Sequence, residues 1–148
     1  MKKMLGLDIG EKNIGIAVSD GLGITAQPLT TIRRKSTNTD IEAIKKIIEE
    51  HHAEEIVVGL PKNMDGSIGI QAQKAIQFAD KLKQCLDVRV TLRDERLTTV
   101  IAEKAMLEGD LSRKKRKKRI DKIAAQLILQ NYLDSKKFSS RPENNETE

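Results

Sequence analysis

The chain is poor in the residues that mark secreted and membrane proteins. Cys85 is the only cysteine among 148 residues, so no disulfide can form within the chain, which fits a reducing compartment. No apolar run approaches the roughly 20 residues needed to span a bilayer. The opening MKKMLGLDIG reaches an aspartate too soon after its lysines to be a signal peptide. We therefore expect a soluble, cytoplasmic protein with no membrane partner.

Aromatic residues are scarce as well. They make up 2% of the chain, as Phe78, Tyr132 and Phe138, and tryptophan is absent. A platform on which bases stack is therefore not expected. If the partner is a nucleic acid, we expect the protein to recognise its backbone and its shape.

Positive charge, by contrast, is concentrated in one place. The net charge is +5, with 27 Lys and Arg against 22 Asp and Glu, and the segment RKKRKKR holds seven of the cations. The rest of the chain is slightly acidic, so the positive charge is local. Clustered cations favour an anionic polymer such as nucleic acid, or less often an acidic membrane. This basic run consists of Arg113, Lys114, Lys115, Arg116, Lys117, Lys118 and Arg119.

The basic run is expected to begin the last helix, with Ser112 as its N-cap. Seven cations there oppose the helix dipole and repel one another at i,i+4 spacing. A bound phosphate backbone would neutralise the repulsion and make binding strongly salt-dependent. A solvated charge run is the usual alternative. Asp121 follows almost directly, which favours a site that holds both a polyanion and a metal ion.

Short apolar runs predict five strands. KMLGLDIG and IGIAVSD, separated by GEKN, predict a hairpin, and ITAQPLTTI adds a third strand in which Pro28 suits an edge. EEIVVGL and VRVTLRD predict two more strands, the first of them central. Early hairpins followed by strands that alternate with helices imply an α/β fold, a mixed five-stranded sheet flanked by helices.

Helical spacing of apolar residues predicts the helices. NTDIEAIKKIIEEHH places its isoleucines on one face, with Thr39 or Asp40 as the cap. A second helix covers residues 72–86, and TTVIAEKAMLEG predicts a third that ends at Gly109. The last helix carries an apolar stripe that consists of Ile120, Ile123, Ala124, Leu127 and Ile128.

The chain is predicted to form one domain. Its length suffices for a single hydrophobic core, which we place in residues 1–137. The segment 138–148 is polar throughout most of its length and is expected to be a disordered tail. No internal repeat divides the sequence.

Three carboxylates lie in three separate predicted elements. Asp8 lies in the first strand, on the face opposite Leu5 and Leu7, where a carboxylate is costly to bury unless it is paired or bound to metal. Glu95 follows the fifth strand, and Asp121 lies at the margin of the last helix's apolar stripe. If the three converge, they repel one another, and Mg²⁺ or Mn²⁺ would relieve the repulsion. Two ions roughly 3.5–4 Å apart would clamp the attacking water and the leaving oxygen of a phosphodiester.

Ordinary structural roles would also explain these residues. Asp8 could cap a turn, Glu95 could pair with neighbouring arginines, and Asp121 could offset the adjacent cations. From the pattern alone we favour function only for Asp8, because sequence spacing does not show convergence in space. Gly10 would let a phosphate approach the carboxylate, but a simple hairpin turn explains this glycine at least as well.

The sequence resembles the YqgF family, also called RuvX. The resemblance rests on LGLDIGEKNIGIAVSD, IVVGLPKNMDGS, DERLTT and SRKKRKKRIDKIAAQLILQNYL, in this order, and spans nearly all of residues 4–134. It implies an RNase H-like fold, similar to that of Holliday-junction resolvases. The family is associated with resolving such junctions and with processing the 5′ end of pre-16S rRNA. Glu11 departs from the family pattern, which commonly has a small hydroxyl residue there; its carboxylate could repel phosphate or join the metal site.

The resemblance implies that Asp8, Glu95 and Asp121 are the catalytic residues and bind Mg²⁺ or Mn²⁺, in a two-ion site. Water activated by these ions would attack phosphorus and leave a 5′ phosphate and a 3′ hydroxyl, by analogy with the fold. Asp20 or Asp94 could supply a fourth carboxylate. Nucleic-acid contacts are assigned to the basic run and to Gly10, Lys12 and Arg96.

The leading prediction is therefore a metal-dependent endonuclease of ribosome biogenesis that processes the 5′ end of pre-16S rRNA. A resolvase of branched DNA and a non-catalytic nucleic-acid-binding factor in ribosome assembly or transcription are the alternatives. The first motif also resembles the phosphate hairpin of actin-like ATPases and sugar kinases, but those proteins enclose ATP between two such domains. The expected partners are structured RNA in the first place, branched DNA, and a pre-ribosomal particle. The protein would be a monomer or a homodimer; a resolvase should be dimeric, because a junction has two-fold symmetry.

Overall fold

The structure is a computed structural model, and it describes residues 3–62, 65–94 and 113–146. Side-chain surroundings are described for residues 3–62, 65–94 and 120–136. In this part of the chain, five strands form one sheet, and three helices pack on it.

The five strands form one mixed sheet, as predicted. In chain order they are β1 (Lys3–Ile9), β2 (Asn13–Ser19), β3 (Ala26–Arg33), β4 (Ala53–Leu60) and β5 (Arg89–Asp94). They lie in the order β3-β2-β1-β4-β5; β1–β2 and β2–β3 are antiparallel, and β1–β4 and β4–β5 are parallel. The strand with Pro28 is thus an edge strand, and β4 is an interior strand, both as expected. The carboxyl ends of β1, β4 and β5 meet at one edge of the sheet, which we call the carboxyl edge.

Two helices, α1 (Thr37–His51) and α2 (Ile70–Cys85), cover one face of the sheet. The larger hydrophobic core lies between them and the strands. Leu5 and Leu7 of β1 point into this core and are fully buried, whereas Met4 belongs to the opposite face. The predicted alternation along β1 is therefore confirmed, and it leaves Asp8 on the face away from α1 and α2.

The third helix, α3 (Arg113–Glu146), covers that opposite face. The second core lies between α3 and the sheet, and several of its residues are small, which lets the helix lie close to the strands. Its buried members are Ala17, Ala26, Val57, Ala125, Ile128, Leu129 and Leu133.

Helix α1 begins earlier than the sequence predicted. It starts at Thr37, and the Ser36 hydroxyl accepts a hydrogen bond from the backbone N–H of Thr39 at 3.2 Å. Ser36 is therefore the cap, and the prediction of Thr39 or Asp40 is wrong. The reason is that Asp40 is only 1% exposed and binds other groups, while Ser36 has the extended backbone of a capping residue.

Several predictions concern the C-terminal part of the chain. The helix predicted over residues 98–109, with its end at Gly109, and the predicted cap Ser112 lie outside the described residues. Helix α3 continues to Glu146, through most of the segment for which the sequence predicted a disordered tail. The domain boundary at residue 137 stays a prediction. None of the described helices combines the length and apolarity needed to cross a membrane.

Candidate active site

Asp8 lies near the carboxyl edge, on the sheet face that α3 covers, and it is half-buried. In the sheet register it stands directly opposite Gly15 of β2. On its other side, one residue beyond the Leu7–Val58 pair, it is level with Gly59 of β4. Opposed residues of neighbouring strands point to the same face. Asp8 is therefore flanked by a glycine on each adjoining strand, so neither strand crowds its carboxylate.

Gly15 also brings Asp121 to this point. A Cβ on Gly15 would overlap the backbone carbonyl of Asp121, so only glycine lets α3 approach the sheet here. The Cβ positions of directly opposed residues in an antiparallel pair lie about 4.5–5.5 Å apart. Asp8 and Asp121 are therefore neighbours across the interface between sheet and helix. The structure thus places the backbone of Asp121 beside the strand position opposite Asp8.

The close approach of α3 continues further along β1. A Cβ on Gly6 would lie 2.8 Å from the carbonyl oxygen of Ala125 and 2.8 Å from the Cβ of Leu129. From Asp8 to Gly6 the strand moves two residues, about 6.7 Å, and from Asp121 to Ala125 the helix moves four residues, about 6 Å. Helix and strand thus run in opposite directions with matching steps, and the glycines set how near α3 lies to β1.

Asp121 belongs to the buried face of α3 itself. It is 7% exposed, whereas Ile120 is only partly buried, so the buried face is turned by about one residue from the predicted stripe. The prediction that Asp121 lies at the margin of the stripe is therefore wrong. The physical reason is that Gly15 has no side chain, which leaves room for the backbone of α3 to lie against the sheet at Asp121. A carboxylate in such surroundings needs compensating charge or hydrogen bonds.

The third predicted carboxylate, Glu95, lies outside the described residues. The residue before it, Asp94, ends β5 at the carboxyl edge and forms an ion pair with Lys62 at 3.9 Å. Among the residues that the structure describes, no group of three or more His, Cys, Asp or Glu side chains could hold a metal ion. The described part of the site is thus a pair of carboxylates, and the metal role of all three stays a prediction.

Asp20 lies at the opposite end of the sheet, so it is wrong as a candidate for the fourth carboxylate. It begins the β2–β3 turn, where its Oδ1 accepts hydrogen bonds from the backbone N–H groups of Ile24 at 2.8 Å and Thr25 at 3.4 Å. The hydrogen bond from Ile24 holds the pKa of the Asp20 carboxyl below its ordinary value. Because β2 is antiparallel to β1, its carboxyl end lies beside the start of β1, where Ser19 binds Met4.

The turn after Asp8 contains two of the predicted nucleic-acid contacts, Gly10 and Lys12. The Gly10 N–H donates to the carbonyl of Asn13 at 2.9 Å, and a Cβ on Gly10 would lie 2.8 Å from that oxygen. The turn itself thus requires this glycine. Arg34 holds the turn from the end of β3: its Nη1 donates to the Gly10 carbonyl at 3.2 Å, and its backbone N–H donates to the Lys12 carbonyl at 2.8 Å.

Arg34 is in turn held by an ion pair with the buried Asp40, which sequence reasoning missed. Its Nε donates to Asp40 Oδ2 at 3.2 Å, and the backbone N–H of Lys35 donates to Asp40 Oδ1 at 3.0 Å. The guanidinium lies 5.2 Å from the centre of the Phe78 ring, a cation–π contact. A signal was available, since Asp40 precedes Ile44 and Ile48 at four-residue spacing and so shares the buried face of α1.

A third buried carboxylate, Glu55, fixes α3 at the far end of the sheet. Its Oε2 accepts hydrogen bonds from Tyr132 Oη at 2.6 Å and Thr91 Oγ1 at 3.1 Å, and Lys136 Nζ lies 3.9 Å from its Oε1. Burial raises the pKa of Tyr132, and the hydrogen bond to Glu55 raises it further. This cluster lies at the start of β4, away from Asp8, and anchors the helix that carries Asp121.

The basic run forms the first turns of α3, as predicted, since the helix begins at Arg113. It therefore occupies the two helical turns before Asp121, about 10 Å of axis. The side chains of the run, and Arg96, lie outside the described residues. Their assignment to nucleic-acid contact stays a prediction.

The sequence matches the model of one known family and several curated relatives. The family model, described as RuvX: Holliday junction resolvase, matches residues 2–135. A relative from Clostridium botulinum, named "Putative pre-16S rRNA nuclease", is 58% identical over 133 residues, which cover 90% of this chain and 97% of the relative. A relative of the same name from Caldanaerobacter subterraneus subsp. tengcongensis is 55% identical over 138 residues, which cover 93% and 99%.

The fold of this chain resembles that of solved structures. The crystal structure of the fowlpox virus Holliday junction resolvase superposes with a TM-score of 0.51 at 16% identity, covering 90% of this chain and 99% of that one. At this identity the likeness concerns the fold alone, which is the RNase H-like fold that the sequence predicted. The family match confirms the resemblance drawn from the motifs and the prediction of an enzyme of the nuclease class. The chain belongs to the RuvX family, the family described as Holliday junction resolvases.

Proposed function

We propose that this chain is a metal-dependent endonuclease that hydrolyses a phosphodiester bond at the 5′ end of pre-16S rRNA. The observation that carries the proposal is the position of Asp121 beside Asp8, opposite the missing side chain of Gly15. The name of the curated relatives supports the RNA substrate. The reaction would take place in the cytoplasm, on free RNA or on a pre-ribosomal particle, with the protein as a monomer or a homodimer.

The donor set suits a hard divalent cation. Asp8 and Asp121 offer carboxylate oxygens, which are the ligands that Mg²⁺ and Mn²⁺ prefer. Asp121 is 7% exposed, and a nearby cation would offset the cost of burying its charge. Glu95, the residue after the last one of β5, is proposed as the third ligand. When bound, two such ions would activate water and stabilise the leaving oxygen of the phosphodiester.

The residues around the two carboxylates would position the substrate. Gly59 flanks Asp8 without a side chain, so a phosphodiester can approach Asp8 from the carboxyl edge on that side, whereas α3 fills the space beside Gly15. The basic run occupies the helical turns before Asp121, where its cations would hold neighbouring phosphates. This arrangement would explain why a carboxylate follows the basic run so closely in the sequence. One helix would carry both the residues that contact phosphate and a catalytic carboxylate.

Cleavage by the purified protein tests the proposal. Wild type and Asp8→Asn would be incubated with Mn²⁺ or Mg²⁺ and an RNA that spans the 5′ boundary of pre-16S rRNA. The matched control is Asp80→Asn, which makes the same chemical change at an exposed position of α2. We expect wild type and Asp80→Asn to leave a 5′ phosphate and a 3′ hydroxyl, and Asp8→Asn to be inactive. Equal cleavage by all three proteins would refute the assignment of Asp8.

A second candidate function, resolution of Holliday junctions, is favoured by the description of the family model. The same three proteins would be offered a four-way DNA junction in place of the RNA. Cleavage of the junction but not of the RNA would select this function, and it should be accompanied by a dimer in light scattering, because a junction has two-fold symmetry. Binding of either substrate without any cleavage would instead indicate a binding factor in ribosome assembly or transcription.

A further inference from the structure

A polar cleft opens on the other side of the β1–β2 turn from the carboxylates. It has a volume of about 610 Å³, within the range of ligand sites. It lies between the turn, the end of β3 and the helices α1 and α2, whereas Asp8 and Asp121 lie on the face that α3 covers. The charged and amide side chains that line the cleft are Glu11, Arg34, Asn38, Lys74, Gln77 and Lys81.

Two lysines supply the positive charge that a ligand in the cleft would meet. The charge of Arg34 is already balanced by Asp40 at 3.2 Å. Lys74 and Lys81, in contrast, are exposed residues of α2. They are seven residues apart, so they lie on one face of the helix and about 10 Å apart along its axis. Two cations at such a distance suit a chain of phosphates better than one compact anion.

The other residues that line the cleft are better suited to bind the sugar–phosphate backbone of a nucleic acid than one of its bases. Phe78 is the aromatic residue of the lining, but it is 4% exposed and has the Arg34 guanidinium 5.2 Å from its ring centre. A base therefore finds no open ring to stack on. Asn38 and Gln77 offer amide N–H groups that can donate to phosphate and sugar oxygens.

We propose that this cleft binds the sugar–phosphate backbone of the nucleic-acid substrate on the side of the scissile bond away from the basic run, an inference that rests on the proposed nuclease function. The β1–β2 turn separates the two places, and Glu11, three residues after Asp8, lines the cleft. A strand that leaves the carboxylates over this turn enters the cleft. The substrate is thus held on both sides of the reacting phosphate, by the basic run on α3 and by Lys74 and Lys81 on α2.

Glu11 has a definite role in this arrangement. It lines the same cleft as the two lysines, and its negative charge repels a bound phosphate, so it lowers the affinity for the strand. Glu11→Gln should therefore bind the substrate more tightly than wild type, by roughly threefold, the effect of about one phosphate charge at physiological salt. Unchanged or weaker binding by this variant would place the strand elsewhere.

Binding measured without cleavage tests the cleft. Fluorescence anisotropy in EDTA would compare wild type with the double variant Lys74→Ala/Lys81→Ala, using the pre-16S boundary RNA and the four-way DNA junction as probes. We expect the Kd of the double variant to rise roughly tenfold at 0.15 M salt, and the slope of log Kd against log salt to fall by about 1.4 to 1.8. A change confined to one probe identifies whether RNA or DNA occupies the cleft.

The matched control is Lys46→Ala/Lys83→Ala, which removes one exposed lysine from each of the helices α1 and α2 that border the cleft, at positions outside the cleft lining. Equal Kd values and salt slopes for the two double variants would overturn the proposal. If the cleft lysines govern binding but wild type cleaves nothing with Mn²⁺, the cleft stands and the nuclease function fails. If wild type cleaves and the two double variants bind alike, the nuclease stands and the cleft fails. No binding by wild type would overturn both.

Discussion

Gly15 of β2 lies against the backbone carbonyl of Asp121 on α3, at a distance that leaves no room for a Cβ. The same glycine is the direct neighbour of Asp8 in the sheet. One missing side chain thus lets two acidic residues more than a hundred residues apart in the chain lie near each other. The contact lies at the sheet–helix interface, so its effect on stability and its effect on the site can be measured in one variant.

Gly15→Ala should damage both the fold and the activity. The added methyl group would push α3 away from the sheet, at a cost of about 1–3 kcal/mol in the free energy of unfolding. A shift of Asp121 by about 1 Å would lower kcat roughly 100-fold. Urea denaturation and cleavage of the boundary RNA measure the two effects.

Gly23→Ala is the contrasting variant for this prediction. Gly23 has φ +72° and no atom within 4 Å of a Cβ position, and it lies in the β2–β3 turn at the opposite end of the sheet. Alanine there should cost about 1–2 kcal/mol through backbone strain alone and leave kcat unchanged. Normal kcat in Gly15→Ala would show that the position of Asp121 does not matter for cleavage.

A divalent cation should stabilise the protein through Asp8. At a concentration of Mn²⁺ one hundred times its Kd, the melting temperature should rise by about 5–10 °C, because the ion binds the folded state. Asp8→Asn should lose most of this rise, Asp80→Asn should keep it, and EDTA should reverse it. Differential scanning fluorimetry reads this effect without any cleavage. The same rise in wild type and Asp8→Asn would remove Asp8 from the metal site.

The pair Arg34–Asp40 should be strongly coupled. Asp40→Ala leaves the partly exposed guanidinium without its buried partner and should destabilise the fold by about 1.5–3 kcal/mol. Arg34→Ala should cost much less in the Asp40→Ala background than in wild type. A double-mutant cycle from urea denaturation measures the coupling. Simple additivity of the two substitutions would mean that the 3.2 Å contact contributes little to stability.

The hydroxyl of Tyr132 should make stability fall at alkaline pH. Its pKa is raised above the ordinary 10.0 by burial and by the bond to Glu55. A group with a raised folded pKa contributes stability that is present below its unfolded pKa and is lost as the pH rises through the folded pKa. Wild type should therefore lose stability above about pH 10, whereas Tyr132→Phe should lose less in that range.

At neutral pH the same substitution should cost about 1–2 kcal/mol, because the hydrogen bond to Glu55 is removed. Chemical denaturation at pH 7 and at several values above pH 9 gives both quantities. Parallel pH profiles for wild type and Tyr132→Phe would contradict the prediction.

Replacement of the basic run by glutamine should weaken nucleic-acid binding without harming the fold. Each cation that contacts a phosphate of a single strand should contribute about 0.7 to the salt slope of log Kd. The thermal stability should stay the same or rise, because like charges at i,i+4 spacing repel one another. An unchanged salt slope would mean that the basic run is solvated and does not contact phosphates. Lys74 and Lys81 would then be the main phosphate contacts.

The five strands, their mixed pairing and the face on which Asp8 lies follow from the residue pattern alone. Period-two alternation in β1 and the hairpin glycines are local signals, and each is strong enough to decide its own element. The family motifs determined which carboxylates to consider. The start of α1 was misplaced, because Ser36, Thr39 and Asp40 all suit a cap.

Which residues meet depends on how the elements pack in three dimensions. The convergence of Asp8 and Asp121 depends on a helix lying against a glycine, and no periodicity reports the distance between two elements. The ion pair of Asp40 and the cluster around Glu55 follow from the same packing, since a buried charge is tolerated only where partners from other elements reach it. Local sequence patterns determine the secondary structure of each segment. The packing of these segments determines which side chains lie close enough to act together.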